Sequence, residues 1–348
     1  MIFTLALASL TGLSSTHDWQ TLDMELLSLA QAAPQSTNAG ASVSGWVQVS
    51  ARMQEDGVNI SAAPLPAPQE FSDELGFSLD SVRLHFQGKV NPDTEYKIGF
   101  DLQGSTTDLQ DAYIRWTLGE GQTLTAGRFL RPGFKSGMLP KIKLFFLQRT
   151  RIGALMYRHD LGALGGMKLG PALAQAAISN GDDEQQEELA YTLSVGTDLL
   201  GKGAGSVEGG WGAAEGTNLY GSVFAFDDGS FDDGAAFGAE SHLTLQGFTV
   251  SAELASFGDD LDYNKKQPSE AGTTPWGVTV SYLFAERWEA GVRYEDYDDA
   301  DNRTRWTAGA NHYLSGHNLK WTLQYLATDS DSDTEPEGEV ALGATLAF

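Results

Sequence analysis

The chain has no cysteine, which removes disulfide frameworks and thiolate chemistry together. It also lacks an apolar run of the roughly 20 residues that a membrane-spanning helix requires. The N-terminal stretch MIFTLALASLTGLSS has the length of a signal-peptide h-region instead, so a leader is expected over residues 1–15, or extending to 32. The basic n-region of such a leader is missing, because no Lys or Arg precedes Arg52. A short helix and linker are expected over 16–41, with Trp19, Leu22, Leu26 and Leu29 on one face. Positive charge is scarce throughout: 22 Lys and Arg stand against 47 Asp and Glu in 348 residues, a formal charge of −25. A chain so acidic does not bind nucleic acid or anionic lipid surfaces nonspecifically.

Recognisable catalytic patterning is missing as well. The six histidines (His17, His85, His159, His242, His312 and His317) form no Ser–His arrangement and no metal-ligand spacing. No catalytic residue, cofactor or metal is expected.

What is present, from Ser42 to Phe348, is alternation in segments of about ten residues, the pattern of a barrel that is lipid-facing outside and wet inside. In SVRLHFQGKV, Val82, Leu84, Phe86 and Val90 oppose Arg83, His85, Gln87 and Lys89. TEYKIGFDLQ repeats the pattern after a tight NPD turn, which makes the pair a hairpin. Further strands are expected near 43–53, 108–118, 122–131, 149–158, 165–180, 189–200, 217–227, 235–246, 248–258, 276–285, 288–297, 304–314, 318–328 and 339–348. The fold class is therefore all-β: a transmembrane antiparallel β-barrel of about 16 strands over residues 42–348.

Connection lengths add independent support, since barrels of this kind have short turns at one end and long loops at the other. NPD, GEGQ, LQG, FAERW and LSGHN alternate with DDEQQEE, DDGSFDDG, FGDDLDYNKKQPSEAG, YDDADN and TDSDSDTEPEG. The link at 201–216 is too long for its end. The acidic loops account for most of the negative charge as a solvated face, with divalent-cation bridging by DSDSD as the sharper alternative. Trp116, Trp288, Trp306, Trp321, Tyr294 and Tyr325 suit interfacial girdles. The final strand EVALGATLAF ends at Phe348 like the C-terminal signal of outer-membrane proteins, which implies the barrel assembly machinery and outer-membrane lipid as partners.

Against this acidity, GRFLRPGFKSGMLPKIKLFFLQRTRIGALMYR, residues 127–158, carries eight of the Lys and Arg and no Asp or Glu. It spans the end of strand five, the long link after it and strand six, where trimeric porins carry the loop that folds into the lumen. Residues 108–181 resemble the phosphate-selective porin O and P family. LQDAYIRWTLGEGQTLTAGRFLRPGF is similar to that family's strand pair ending in Gly-Gln-Phe-Lys, then Pro and Phe. FFLQRT resembles its Phe-x-Glu-Arg element, and YRHDLGALGG and ISNGDD its next turn and loop. Arg128, Gln148 and Gly133 depart from the pattern. The resemblance implies a passive channel for small anions such as phosphate and chloride, assembled as a homotrimer.

The expected constriction is built from Arg131, Lys135, Lys141, Lys143, Arg149 and Arg151, with Arg83, Lys97, Arg115, Arg293 and Lys320 supporting the lumen. Arg suits bidentate capture of oxyanions and Lys a mobile point charge, and narrow low-dielectric walls amplify both. Strand parity turns Arg149 and Arg151 inward, with Ile152, Ala154 and Met156 outward; the same parity points Arg128 out. Two other readings stay open: a general diffusion porin with weak selectivity, and a soluble acidic secreted β protein with the alternation reversed.

Overall fold

A computed structural model describes residues 40–54, 74–103, 107–181, 189–213, 215–228, 235–258, 272–331 and 338–348. The expected leader, helix and linker, and most of the acidic loops, lie outside these residues. The described chain forms one closed barrel of sixteen antiparallel strands, each paired with its sequence neighbours and the first with the last. In order they are β1 (Ser42–Gln54), β2 (Glu74–Asn91), β3 (Thr94–Asp101), β4 (Asp108–Gly119), β5 (Gln122–Leu130), β6 (His159–Leu169), β7 (Ala172–Ser179) and β8 (Ala190–Leu200). There follow β9 (Thr217–Asp227), β10 (Ala235–Leu245), β11 (Phe248–Phe257), β12 (Trp276–Phe284), β13 (Trp288–Asp296), β14 (Thr304–Tyr313), β15 (Leu319–Asp329) and β16 (Gly338–Ala347).

Closure removes every sheet edge, the condition for placing strands in hydrocarbon. At the seam, Trp46 of β1 sits opposite Ala347 and Gln54 opposite Glu339. Beyond the last strand, Phe348 exchanges backbone hydrogen bonds with Gly45 at 3.0 and 3.1 Å.

The alternation has the sense a membrane barrel needs. Along β15, Trp321, Leu323 and Tyr325 are 44–53% exposed, while Lys320, Thr322 and Gln324 between them are 1% exposed. A soluble protein would reverse this, so that reading is set aside. Outward aromatics collect at both ends. Trp276, Tyr294 and Trp306 touch in succession at one end, with centroids 5.3 and 4.7 Å apart. Near the other end Phe248 lies on Tyr282 at 4.3 Å, and Trp288 stacks on His312 at 4.2 Å. Along β12 Trp276 and Tyr282, one in each girdle, are separated by roughly 20 Å of strand at about 3.3 Å per residue.

Sixteen strands were expected and sixteen are present, although the total conceals two compensating errors. Residues 149–158 form no strand: Arg151–Met156 is a short helix. Residues 165–180, expected as one strand, contribute the end of β6 and all of β7, joined by a tight turn at Gly170 (φ 63°) and Pro171. The helix has a local cause. Thr150 caps it, its hydroxyl oxygen accepting from the Gly153 N–H at 2.9 Å. Ile152, Leu155 and Met156 then fall at helical i, i+3, i+4 spacing, and all three are buried. Ile152 and Met156 therefore do not face lipid.

Candidate functional site

Between β5 and β6 the chain does not leave the barrel. Residues 131–158 form two short helices, α1 (Lys135–Met138) and α2 (Arg151–Met156), with a 3-10 turn at Lys141–Lys143 between them. The helices meet at glycines. A Cβ on Gly137 would lie 2.9 Å from Met156 Cβ, and one on Gly153 would lie 2.8 Å from the Ser136 carbonyl carbon. Phe134, Ile152, Leu155 and Met156 pack against Phe224, Phe226, Ala236 and Phe257 of the inner wall. The sequence signal for this inner apolar patch is VFAF at 223–226, where alternation fails because both faces of β9 are apolar.

Polar contacts tie the same segment to strands around most of the circumference. The Lys135 N–H donates to Glu240 at 2.7 Å, the Ser136 hydroxyl to Glu253 at 2.6 Å and the Arg151 N–H to Glu295 at 2.5 Å. Asn311 donates to the Phe145 carbonyl at 2.8 Å, and the Leu147 N–H donates to Gln324 at 3.0 Å. On the far side, Lys141 Nζ donates to the Asp80 carbonyl at 2.7 Å. The segment thus crosses the lumen, with anchors on β2, on β10 and β11, and on β13 to β15.

A second segment enters from the other end. The link 201–216 joins β8 to β9, where the remaining turns at that end span two to five residues. Trp211 stacks on Tyr313 at 5.3 Å, and its carbonyl lies 3.1 Å from His317 Nε2. Glu208 bonds Arg293 Nη2 at 2.5 Å and accepts from the Phe145 N–H at 2.6 Å. With both segments in place, inner-wall groups of β12 to β15 such as Glu289, Arg293, Asn311 and Lys320 are 0–2% exposed. That half of the barrel is filled.

On the other side a cavity of about 420 Å³ stays open. On the wall side it is lined by Trp46, Arg83, His85, Lys97 and Asp111, and on the segment side by Met138, Pro140, Ile142 and Tyr157. Arg83 pairs with Asp101 at 2.9 Å and Lys97 with Asp111 at 2.8 Å. The Arg149 guanidinium lies 4.1 Å over the Tyr157 ring and donates to the Ser136 carbonyl at 2.6 Å. The Nε atoms of Arg83 and Arg149 are buried without a hydrogen-bond partner among the described residues.

The expected constriction residues separate into two groups. Lys141 and Arg149 stand beside the cavity. Burial holds both below their ordinary pKa, Lys141 at about 8 and Arg149 at about 10. Lys143 is half-buried on the 3-10 turn, and its ammonium has no hydrogen-bond or ion-pair partner among the described residues. Arg131, Lys135 and Arg151 lie on the filled side. Arg131 is 4.7 Å over Phe226 and Arg151 5.2 Å over Tyr297, and burial lowers the Arg151 pKa. Lys135 donates to the Val207 carbonyl at 3.1 Å, and burial pushes its pKa down to about 8 against the pull of Glu240 and Glu208.

Of the expected supporting bases, Arg83 and Lys97 line the cavity itself. Arg115 is paired with Glu95 at 3.0 Å, Arg293 with Glu208, and Lys320 donates to the Leu144 carbonyl. Arg128 follows Gly127, whose φ of 122° and a virtual Cβ 2.2 Å from the Ala112 carbonyl oxygen admit only glycine. The register nevertheless runs unbroken through Arg128, which sits opposite Ala112 on β4 and the exposed Leu161 on β6.

The fold has counterparts among solved structures. The outer membrane channel DcaP of Acinetobacter baumannii superposes with a TM-score of 0.60 at 14% identity, covering 90% of this chain and 99% of that one. The loop L8 deletion mutant of OmpT, an outer membrane protein of Vibrio cholerae, gives 0.59 at 10% identity over 89% and 99%. A mutant of the Rh. blastica porin gives 0.56 at 11% over 88% and 100%. No curated protein matches the sequence. The family model for phosphate-selective porin O and P matches residues 47–132 and 225–348, more than half of the chain. FFLQRT, YRHDLGALGG and ISNGDD fall outside the matched residues. With the closed sixteen-strand barrel, that match makes the protein a channel of the bacterial outer membrane, belonging to the phosphate-selective porin O and P family.

Proposed function

We propose that the protein is a passive channel for small anions, phosphate among them, and that they pass between the 131–158 segment and the inner wall of β1 to β4. The observation that carries this reading is the charge around the open cavity. Arg83 and Lys97 line it with Asp111 as the carboxylate among the lining residues, and Lys141 and Arg149 stand just beyond. Guanidinium groups suit oxyanions, and low-dielectric walls make each cation count for more than it would in water. Capture must stay weak for conduction, and the ion pairs of Arg83 and Lys97 with Asp101 and Asp111 moderate it. The name of the family supports phosphate as a solute. A trimer is proposed on the likeness to OmpT of Vibrio cholerae, which has a trimer form.

Those same ion pairs favour a second reading, a general diffusion porin with weak selectivity. Reversal potentials in a planar bilayer under a KCl gradient separate the two. Anion preference, with chloride current transiently blocked by added phosphate, is the expected result. Preference for potassium, or indifference, refutes the first reading.

A further inference from the structure

The contact between the two inward segments centres on Glu208, which the sequence did not single out. Its carboxylate is 3% exposed. One oxygen lies 2.5 Å from Arg293 Nη2, and the other accepts from the Phe145 N–H at 2.6 Å. Its own N–H donates to the Lys143 carbonyl at 3.3 Å. The residue therefore holds the 131–158 segment at two points while standing on a link from the opposite end of the barrel. Two more cations lie in the same sealed space. Lys320 is committed to the Leu144 carbonyl, and Lys135 to the Val207 carbonyl next to Glu208. The Coulomb pull of Glu208 acts on both ammonium groups.

The link is fitted for this position. Its glycines at 201, 203, 212 and 216 have φ between 67° and 88°, which lets a short run double back. A Cβ on Gly209 would lie 2.5 Å from a Glu289 carboxylate oxygen, so a larger residue there would have to displace that carboxylate. At the tip, Trp211 is so close to Gly316 that a Cβ there would fall 2.1 Å from the indole ring.

We propose that Glu208 is a positioning residue for the pore: it fixes the constricting segment from the periplasmic side and neutralises the cations sealed beneath it. The bases of the open side then act alone on permeating ions. Removing the Glu208 charge takes away the ion-pair partner of Arg293 and one of the carboxylates acting on each lysine, and the lumen turns more positive. The direction of that shift does not depend on which ion the wild-type channel prefers. A wild-type preference for potassium would thus refute the anion reading and leave this one standing.

The test uses the purified full chain in planar bilayers, with heat-modifiable migration as the check on folding. In Glu208→Gln the chloride-to-potassium permeability ratio is expected to rise at least about two-fold, a modest effect because ions in the pore screen a buried charge. Arg293→Gln should lower the ratio by a similar factor, and the double variant should return to the wild-type value. Glu208→Ala, which also drops the bond to Phe145, should increase conductance. A folded Glu208→Gln channel with the wild-type ratio overturns the proposal. If Glu208→Gln does not fold, Arg293→Gln decides alone, and an unchanged ratio overturns it equally.

Discussion

Replacing Phe134 by Ala is the sharpest perturbation of the constricting segment, because it loosens the segment without touching a strand. The Phe134 ring is fully buried and meets Phe224 edge-to-face, centroids 4.7 Å apart and planes at 88°. Truncation of so buried an aromatic costs about 3–5 kcal/mol. The barrel ladder does not include this residue, so the cost falls on docking of the segment and not on closure of the sheet. The local anchors that remain include the bonds of Lys135 to Glu240 and Val207 and of Ser136 to Glu253. At about 1.4 kcal/mol per factor of ten, local opening should become roughly 10²–10³·⁵ times more frequent. The chain has no cysteine, so a single Ser136→Cys reports this opening through its rate of thiol labelling. Ser136 is 6% exposed and should label slowly in the parent. With Phe134→Ala added, labelling should accelerate by at least ten-fold, and single-channel current should become larger and noisier while heat-modifiable migration persists. Equal labelling rates and equal conductance would show that the apolar cluster does not hold the segment.

Adding a methyl group at Gly238 should act from the other side of the same contact. Its Cβ would lie 2.5 Å from Phe224 and 2.6 Å from Phe134, so Gly238→Ala should displace the segment and raise conductance, with a cost of about 1–3 kcal/mol to thermal stability. Arg83→Ala removes a cavity-lining cation, whereas Arg131→Ala removes one packed on Phe226. Phosphate block of chloride current should weaken several-fold in the first and little in the second, as single-channel recording will show. Raising pH from 7 to 9 should reduce anion preference, because Lys141, held near 8 by burial, loses its proton in that range. Asp80 opposes that loss and Arg149 promotes it. Lys141→Met should reduce this pH dependence, the remainder coming from Lys135, which burial also holds near 8. The linked stability runs the other way: between about pH 8 and the unfolded lysine value of about 10.4, unfolding takes up a proton, so the folded state gains from rising pH.

Legibility in the sequence followed the number of constraints acting on each stretch. On β2, β3 and β15 every second residue meets lipid, so alternation is enforced by the cost of a misplaced side chain, and the strands could be read directly. The stretch 149–158 has no such enforcement, because it lies inside the barrel and meets no lipid. Ile152, Ala154 and Met156 satisfy a period of two, while Ile152, Leu155 and Met156 satisfy the helical period, and only the cap at Thr150 favours the second. The hairpin at Gly170-Pro171 was missed for the opposite reason: Gly165, Gly166, Ala172, Ala174, Ala176 and Ala177 are too small to mark faces. The charges were harder still. A base reads alike in sequence whether it lines the cavity, as Lys97 does, or is buried against a carboxylate, as Arg293 is. What divides them is the path of the 201–216 link, whose only trace in the sequence is a turn too long for its end of the barrel and rich in glycine. The acid that pairs with Arg293 lies 85 residues away in sequence. The basic segment thus marks the stretch that folds into the lumen, and on the proposal above the distant Glu208 determines which of its bases remain for solute.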